Sequence, residues 1–330
     1  MLAGFRPIYW REGALCSPAV FAILITGFGC GYPRLSLVAA GAAISVGFGA
    51  GRLFRAERLG AMVLATITMA LAAAAGSVVA SQSWLYLALC GLLAGLVAAL
   101  AVRDGEAWWV LTQAAIAFLV AGYFPSDFLD ALLRALIIGM GGLTQIAIVW
   151  WLSRLVPVLG EPLPSQALVA VPSDRSFRLV IARSALAVPL ALVLAHHIDP
   201  HNYYWAPMTT LMVLKPGMKE TTWRGVSRMA GTALGCLVAS AIAIWSDNSP
   251  GFMIPLIGLA AFAAFSFQRA HYAISTFATT WAAVMLLDLG QGQAEANAGH
   301  RIIATLIGGA VALAITELGA RTLRKDARGT

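Results

Sequence analysis

Apolar residues fall in long blocks along this chain, with short polar clusters between them. The blocks lie near 13–31, 35–51, 59–80, 84–102, 107–123 and 131–152, and again near 177–198, 203–214, 225–245, 250–267, 272–289 and 301–319. Between the sixth and seventh blocks, residues 153–176 are polar and contain prolines. No stretch shows the sustained apolar/polar alternation that marks a half-buried strand. A block of roughly 20 apolar residues is what a helix needs to cross a bilayer. A helix also satisfies its own backbone groups where no water can. The pattern predicts an all-α, polytopic membrane protein with about twelve transmembrane helices. The first block lacks a small-x-small cleavage site and is read as a retained first helix.

Composition strengthens this reading and changes the meaning of the charge. The 330 residues are 60% hydrophobic and 11% charged, with a mean hydropathy of +0.80; soluble domains carry about 25% charged residues. The net charge of +7 need not signal nucleic acid, because positive-inside loops give the same balance. With a cytoplasmic N-terminus and alternating connections, 18 of the 22 Lys and Arg residues fall inside, and only Arg34 and Arg301 fall outside. Arg134 and Arg183 lie within helices. This split predicts a multi-pass membrane protein with both termini cytoplasmic. The cysteines Cys16, Cys30, Cys90 and Cys236 sit in apolar blocks without metal-ligand spacing, which reads as packing. No phosphate-binding G-x-x-x-x-G-K-[ST] motif occurs, so ATP drive within the chain is not expected.

The two halves repeat. Arg58 and Arg224 are 166 positions apart, as are Arg103 and Arg269; Arg11 and Arg178, Arg134 and Arg301, and Arg154 and Arg321 are 167 apart. Gly141-Gly142 recurs at Gly308-Gly309, again at 167. An even number of helices per half makes a parallel repeat, with a pseudo-twofold axis along the membrane normal. The expected organisation is a first six-helix repeat at 1–152, a cytoplasmic linker at 153–176 and a second repeat at 177–330, with a substrate site between the repeats.

One block departs from its counterpart. The apolar run Tyr203 to Leu214 is about twelve residues and stops at Lys215-Pro216-Gly217, where its first-half counterpart at 35–51 continues. Proline lacks an N–H and glycine is a weak helix former, so the helix should end there. Lys215 and Lys219 can complement the carbonyls at its C-terminus. Arg224 and Arg228 follow at i and i+4 on one helical face, with Thr221 one turn earlier. Two readings stand: a cytoplasmic cap carrying topological charge, or a mouth that collects anions.

The wording of this stretch resembles a known family. Trp205, Pro207 and Thr209, then Val213-Leu214-Lys215-Pro216, then Arg224 and Arg228-x-x-Gly231-Thr232-x-x-Gly235 are similar to the signature of the fusaric-acid-resistance (FUSC) family. That family includes aromatic carboxylic acid exporters of bacterial inner membranes and is related to plant anion channels. The signature covers about 35 residues, and the six-plus-six plan extends a looser resemblance over most of the chain. The resemblance implies an efflux transporter for small organic anions driven by the proton gradient. It admits a periplasmic adaptor and an outer-membrane channel as partners. Larger family members carry a big cytoplasmic domain where this chain has only the linker at 153–176. A passive organic-anion channel is the alternative, and the sequence leaves the oligomeric state open, a homo-oligomer included.

Polar groups inside the apolar blocks complete the set. Gln113 and Thr279 are 166 apart. With Thr112, Ser275, Thr276, Thr280 and Trp281 they either bond between helices or line a central pathway, where Trp281 would stack on an aromatic substrate. Arg134 and Arg301 sit near the outer ends of the last helix of each repeat. Either one marks an anion exit, or Arg134 pairs locally with Asp130. Arg183 reads as a snorkelling cation. Asp288 is a candidate proton carrier or a solvated helix end. The cluster His196-His197-x-Asp199-x-His201 lies in a short outer loop, and His271 and His300 are in other segments. Neither metal, cofactor nor enzymatic chemistry is expected from it.

Overall fold

The computed structural model describes residues 8–54, 57, 59–160, 174–215, 217–292 and 294–326. Pro216, Arg58 and residues 161–173 of the linker lie outside the described residues. The described residues are helical and form no named strand. They build α1 (Trp10–Gly29), α2 (Pro33–Gly47), α3 (Gly60–Val79), α4 (Ser83–Arg103), α5 (Gly105–Gly122), α6 (Phe128–Leu155), α7 (Asp174–Ile198), α8 (Trp205–Val213), α9 (Met218–Trp245), α10 (Pro250–Ser266), α11 (Tyr272–Gln291) and α12 (Ala294–Asp326). Every apolar block of the sequence is a helix. Among the described residues nine helices are long and apolar enough to cross a membrane; α2 and α10 are shorter apolar helices, and α8 has nine residues. The chain is a multi-pass membrane protein.

Local chemistry sets many of the helix ends. Proline opens α2 and α10 at their first position, where its missing N–H costs nothing. Asp104 caps α5 by accepting from the N–H groups of Glu106 and Ala107, both at 3.0 Å. Gly292 closes α11 with φ +68°, a left-handed conformation that glycine adopts without a Cβ clash. Two helices run beyond their apolar blocks. α9 starts at Met218 rather than near 225, and α12 starts at Ala294 rather than near 301. Their first turns are polar but built of good helix formers, so the backbone continues where the apolar pattern stops. The outward faces are apolar, with Leu71, Met140, Leu143, Leu186 and Leu237 all exposed, as a lipid-facing surface should be.

The chain divides into two compact units: residues 1–71, 132–165 and 230–299, and residues 72–131, 166–229 and 300–330. Each unit draws helices from both halves of the sequence. In the first, α1 packs on α2 and α10, α10 on α11, and α11 on α2. Its core holds Leu15, Leu24, Met62, Met253, Ile257 and Phe265, and Gln145 donates to the Cys16 carbonyl at 3.1 Å. In the second, α7 packs on α4 and α8, α4 on α5, and α5 on α8. Tyr86 stacks on Phe118 at 5.2 Å and donates to the Leu119 carbonyl at 3.2 Å.

The pairing scheme inside one unit becomes that of the other when the helices are exchanged at the offset of 167. A side chain at Gly141 would overlap the carbonyl oxygen of Ala39, and one at Gly308 would overlap that of Ala206. Both members of this contact are 167 residues apart in the chain. Gly91 on α4 lies against α7, and Gly258 on α10, also 167 further on, lies against α1. These glycines allow close helix approach, the role small residues play in membrane interiors.

Candidate anion-binding site

The short helix α8 organises the chemistry of the second unit. Nine residues at 1.5 Å per residue make it roughly 13 Å long, less than half a bilayer core. The turn into it is made by Asn202, in the left-handed region with φ +52°, a conformation for which asparagine is enriched among non-glycine residues. The break after it is tied by Thr221. The Thr221 hydroxyl accepts the Lys215 N–H at 3.1 Å and lies within donating distance of the carbonyls of Lys215 (3.2 Å) and Gly217 (3.0 Å).

Past the C-terminus of α8 lies a small cleft of about 40 Å³, room for a few waters or a carboxylate head group. Its polar lining is Trp108, Arg183, Ser184 and Lys215, and small apolar residues of α4 such as Ala94, Ala98 and Ala101 form a wall. The Lys215 Nζ lies 5.3 Å from the centroid of the Trp108 ring, a cation–π distance. Burial, with the Arg224 guanidinium adding to it, pushes the Lys215 amine down to about 8, against partial support from Glu220. The lining thus sets two cations, an indole face and a hydroxyl against an apolar wall.

Arg228 is placed differently from an open collecting cation. It is buried, its Nε donates to the Thr209 hydroxyl at 3.4 Å, and its Nη1 meets the Met212 sulfur at 3.2 Å. It ties α9 to α8 from inside the unit. Arg224 is half-buried and Lys219 exposed. Replacing Arg228 by lysine keeps the charge but loses the fork that reaches both partners. Thermal unfolding in detergent is expected to fall by several degrees for Arg228→Lys and to stay unchanged for Lys219→Ala.

At the other end of α8, the Arg301 guanidinium lies over the Trp205 ring, 3.4 Å from its centroid. Tyr204 packs on Trp205 at 4.8 Å, and Tyr123 meets Tyr203 and Tyr204 at 5.0 and 5.2 Å. The Trp205 indole N–H is buried with no acceptor among the described residues. Burial raises the Tyr203 hydroxyl above its ordinary value, so it stays a neutral donor at physiological pH. The counterpart of Trp205 in the first half is Val38, so Arg134, half-buried on α6, has no aromatic at the equivalent place.

The remaining sequence candidates separate between the units. Gln113 is buried on α5 in the second unit, while Thr279 and Trp281 are half-buried on α11 in the first. The Thr279 hydroxyl donates back to its own helix, to the Ser275 carbonyl at 2.9 Å and the Thr276 carbonyl at 3.1 Å. Trp281 packs on Phe277 at 6.0 Å, and its N–H has no acceptor among the described residues. Asp288 is not a solvated helix end. It is fully buried, one oxygen accepts from the Asn297 amide at 2.9 Å, and the other has no donor among the described residues.

Three participants escape a reading by residue type. Arg183 and Ser184 line the cleft, although Arg183 alone reads as a snorkelling cation. The signal was available: at an offset of 167 its counterpart is Cys16, so it is a second-half cation that the repeat does not require. Only the packing of α5 on α8 brings Trp108 to Lys215.

Residues 190–315 match the family described as fusaric acid resistance protein-like, a stretch that holds α8, the break and the whole of α9. The chain is similar to the uncharacterized protein slr1298 of Synechocystis, 32% identical over 134 residues, or 40% of this chain and 18% of that protein. It is similar to the uncharacterized protein ORF2 of Neisseria gonorrhoeae, 31% identical over 133 residues, or 40% of this chain and 31% of that protein. It is also 26% identical over 176 residues to the uncharacterized protein YhfK of Escherichia coli, or 48% of this chain and 25% of that protein. The matches thus span less than a third of each relative's length. No solved structure matches the chain. The break at Lys215, the two arginines after it and the glycines of α9 lie inside the stretch, residues 190–315, that is similar to the fusaric acid resistance protein-like family.

Proposed function

We propose that this protein exports small organic anions, aromatic carboxylates first among them, from the cytoplasm across a bacterial inner membrane. The observation that carries the reading is the cleft beyond α8, where Lys215 stands over Trp108 with Arg183 and Ser184 in the same lining. The anion enters at Lys215, passes the Thr209–Arg228 contact in the middle of α8 and leaves beside Arg301 and Trp205. A carboxylate exchanges its water for guanidinium and ammonium donors at both ends, and its ring finds an indole at both ends. The two halves act as a parallel repeat of six helices each, in which the second half has specialised by shortening α8 and acquiring Arg183, Lys215 and Arg228.

Asp288 is the proton carrier in this reading. Its buried carboxyl keeps one oxygen on Asn297 and has the other oxygen open to a proton. In proteoliposomes with an imposed pH gradient, the wild type is expected to concentrate benzoate against its gradient. Asp288→Asn is expected to abolish concentration while leaving exchange of labelled for unlabelled benzoate intact. A wild type that only equilibrates benzoate would make the protein a passive channel, and loss of exchange together with concentration would remove Asp288 from the coupling step. In cells, deletion of the gene is expected to sensitise growth to aromatic acids, with complementation failing for Lys215→Ala.

A further inference from the structure

Three side chains that the transport reading does not use meet at the other end of the second unit. Asp199 and His201 stand in the connection between α7 and α8, and His300 comes from α12, 101 residues after Asp199. His300 Nδ1 lies 2.6 Å from one Asp199 oxygen, and His201 Nδ1 lies 3.5 Å from the other. The two imidazoles stack with centroids 4.7 Å apart. The three ligand atoms lie within 4.8 Å of one another. The backbone fixes the turn, because the His201 N–H donates to Asp199 at 3.1 Å. Asp199 is a ligand in waiting: burial would raise its carboxyl, but the His300 hydrogen bond, the His201 N–H and the two imidazoles outweigh it and hold the group ionised, below its ordinary value.

We propose that Asp199, His201 and His300 bind one divalent transition-metal ion of the zinc type. Two imidazoles and one carboxylate are the donor set that zinc takes in three-ligand sites, with water in the fourth position. Calcium and magnesium prefer oxygen ligands throughout. Tetrahedral bonds of about 2.1 Å place ligand atoms roughly 3.4 Å apart, and the His201–Asp199 pair already stands at 3.5 Å. The His300–Asp199 pair is closer, at hydrogen-bond distance, and opens by a rotation of either side chain when the metal takes the place of the shared proton. The side chains are 68, 26 and 11% exposed for His201, His300 and Asp199, so an ion reaches the site from the solvent side of the loop. His196 and His197 precede the loop on α7, and His196 is engaged on the Tyr203 ring at 4.9 Å. They do not belong to the set.

The ion would fasten the loop that leads into α8 to α12, one residue before Arg301. The inference does not depend on the transport reading, since its test reads the metal itself. The full chain, purified in detergent without a polyhistidine tag, is titrated with Co²⁺ and then with Zn²⁺. The expected result is visible absorption of tetrahedral cobalt at one ion per chain, displaced by zinc, with affinity lowered at least about tenfold in His201→Ala and in His300→Ala. Affinity should be unchanged in the double variant His196→Ala/His197→Ala and in His271→Ala. Zinc should also protect His201 and His300 of the wild type from diethyl pyrocarbonate, read by mass spectrometry, an arm that needs no variant to fold. Absence of cobalt absorption from the wild type, binding that follows His196 and His197, or modification of His201 and His300 unaltered by zinc would each overturn the proposal.

Discussion

Replacing Lys215 by alanine is expected to weaken transport of benzoate at pH 7 at least tenfold, chiefly through KM. The loss follows from removing one charged donor at a partly dry mouth, worth about 1.5–3 kcal/mol. The effect falls on KM because that donor holds the anion before and during passage alike. The pH dependence gives a sharper test. Burial next to Arg224 holds the Lys215 amine down to about 8. The amine is charged below that value and neutral above it. Anion capture should therefore be present at pH 7 and decline as pH on the Lys215 side rises through about 8. Arginine stays charged throughout this range, so Lys215→Arg should keep at pH 9 the uptake that the wild type loses. Rates measured across pH 6–10 on sided vesicles decide the matter. A wild-type profile identical to that of Lys215→Ala would show that the amine serves membrane topology alone.

The second large effect is expected at Gly308. A Cβ there overlaps the Ala206 carbonyl oxygen and comes within 2.9 Å of the Thr209 Cβ. The Thr210 hydroxyl donates to the Gly308 carbonyl at 2.9 Å across the same contact. Backbone cannot retreat as a flexible side chain can. Gly308→Val should cost about 3 kcal/mol or more, parting α12 from α8 and shifting Arg301 off Trp205. The neighbouring Gly309 meets nothing within 4 Å, so Gly309→Ala should be silent. Size-exclusion profiles and unfolding temperatures in detergent compare the two directly. Gly141→Val should behave like Gly308→Val, because its Cβ meets the Ala39 carbonyl in the same way. A stable, monodisperse Gly308→Val protein would refute the close α8–α12 packing on which the proposed exit depends.

The order of helices was legible in the sequence because hydropathy is local. A block of apolar residues must hide its backbone polar groups by hydrogen-bonding along itself, whatever surrounds it. Each of the twelve blocks is a helix for that reason. The halt near Lys215 was legible too, since the apolar run stops there. The starts of α9 and α12 were not, because their first turns are polar and only their backbone is helical. A carboxyl at a helix end reads as solvated, yet Asp288 is enclosed and bonded to Asn297. Burial is decided by what packs around a residue, and the sequence does not list neighbours.

What the sequence determined by itself is the class of the protein, the position of its helices, the short α8 and the family that residues 190–315 resemble. Periodicity, composition and a contiguous signature are properties of neighbouring residues, and they survive without coordinates. Only the tertiary structure decided that each compact unit takes helices from both halves. It alone brought Trp108 to Lys215, turned Arg228 inward onto Thr209 and Met212, and set His300 against Asp199. Those pairs lie between 16 and 107 residues apart along the chain. Their meeting depends on helix packing through glycines such as Gly91 and Gly308, where the absence of a side chain lets two backbones touch.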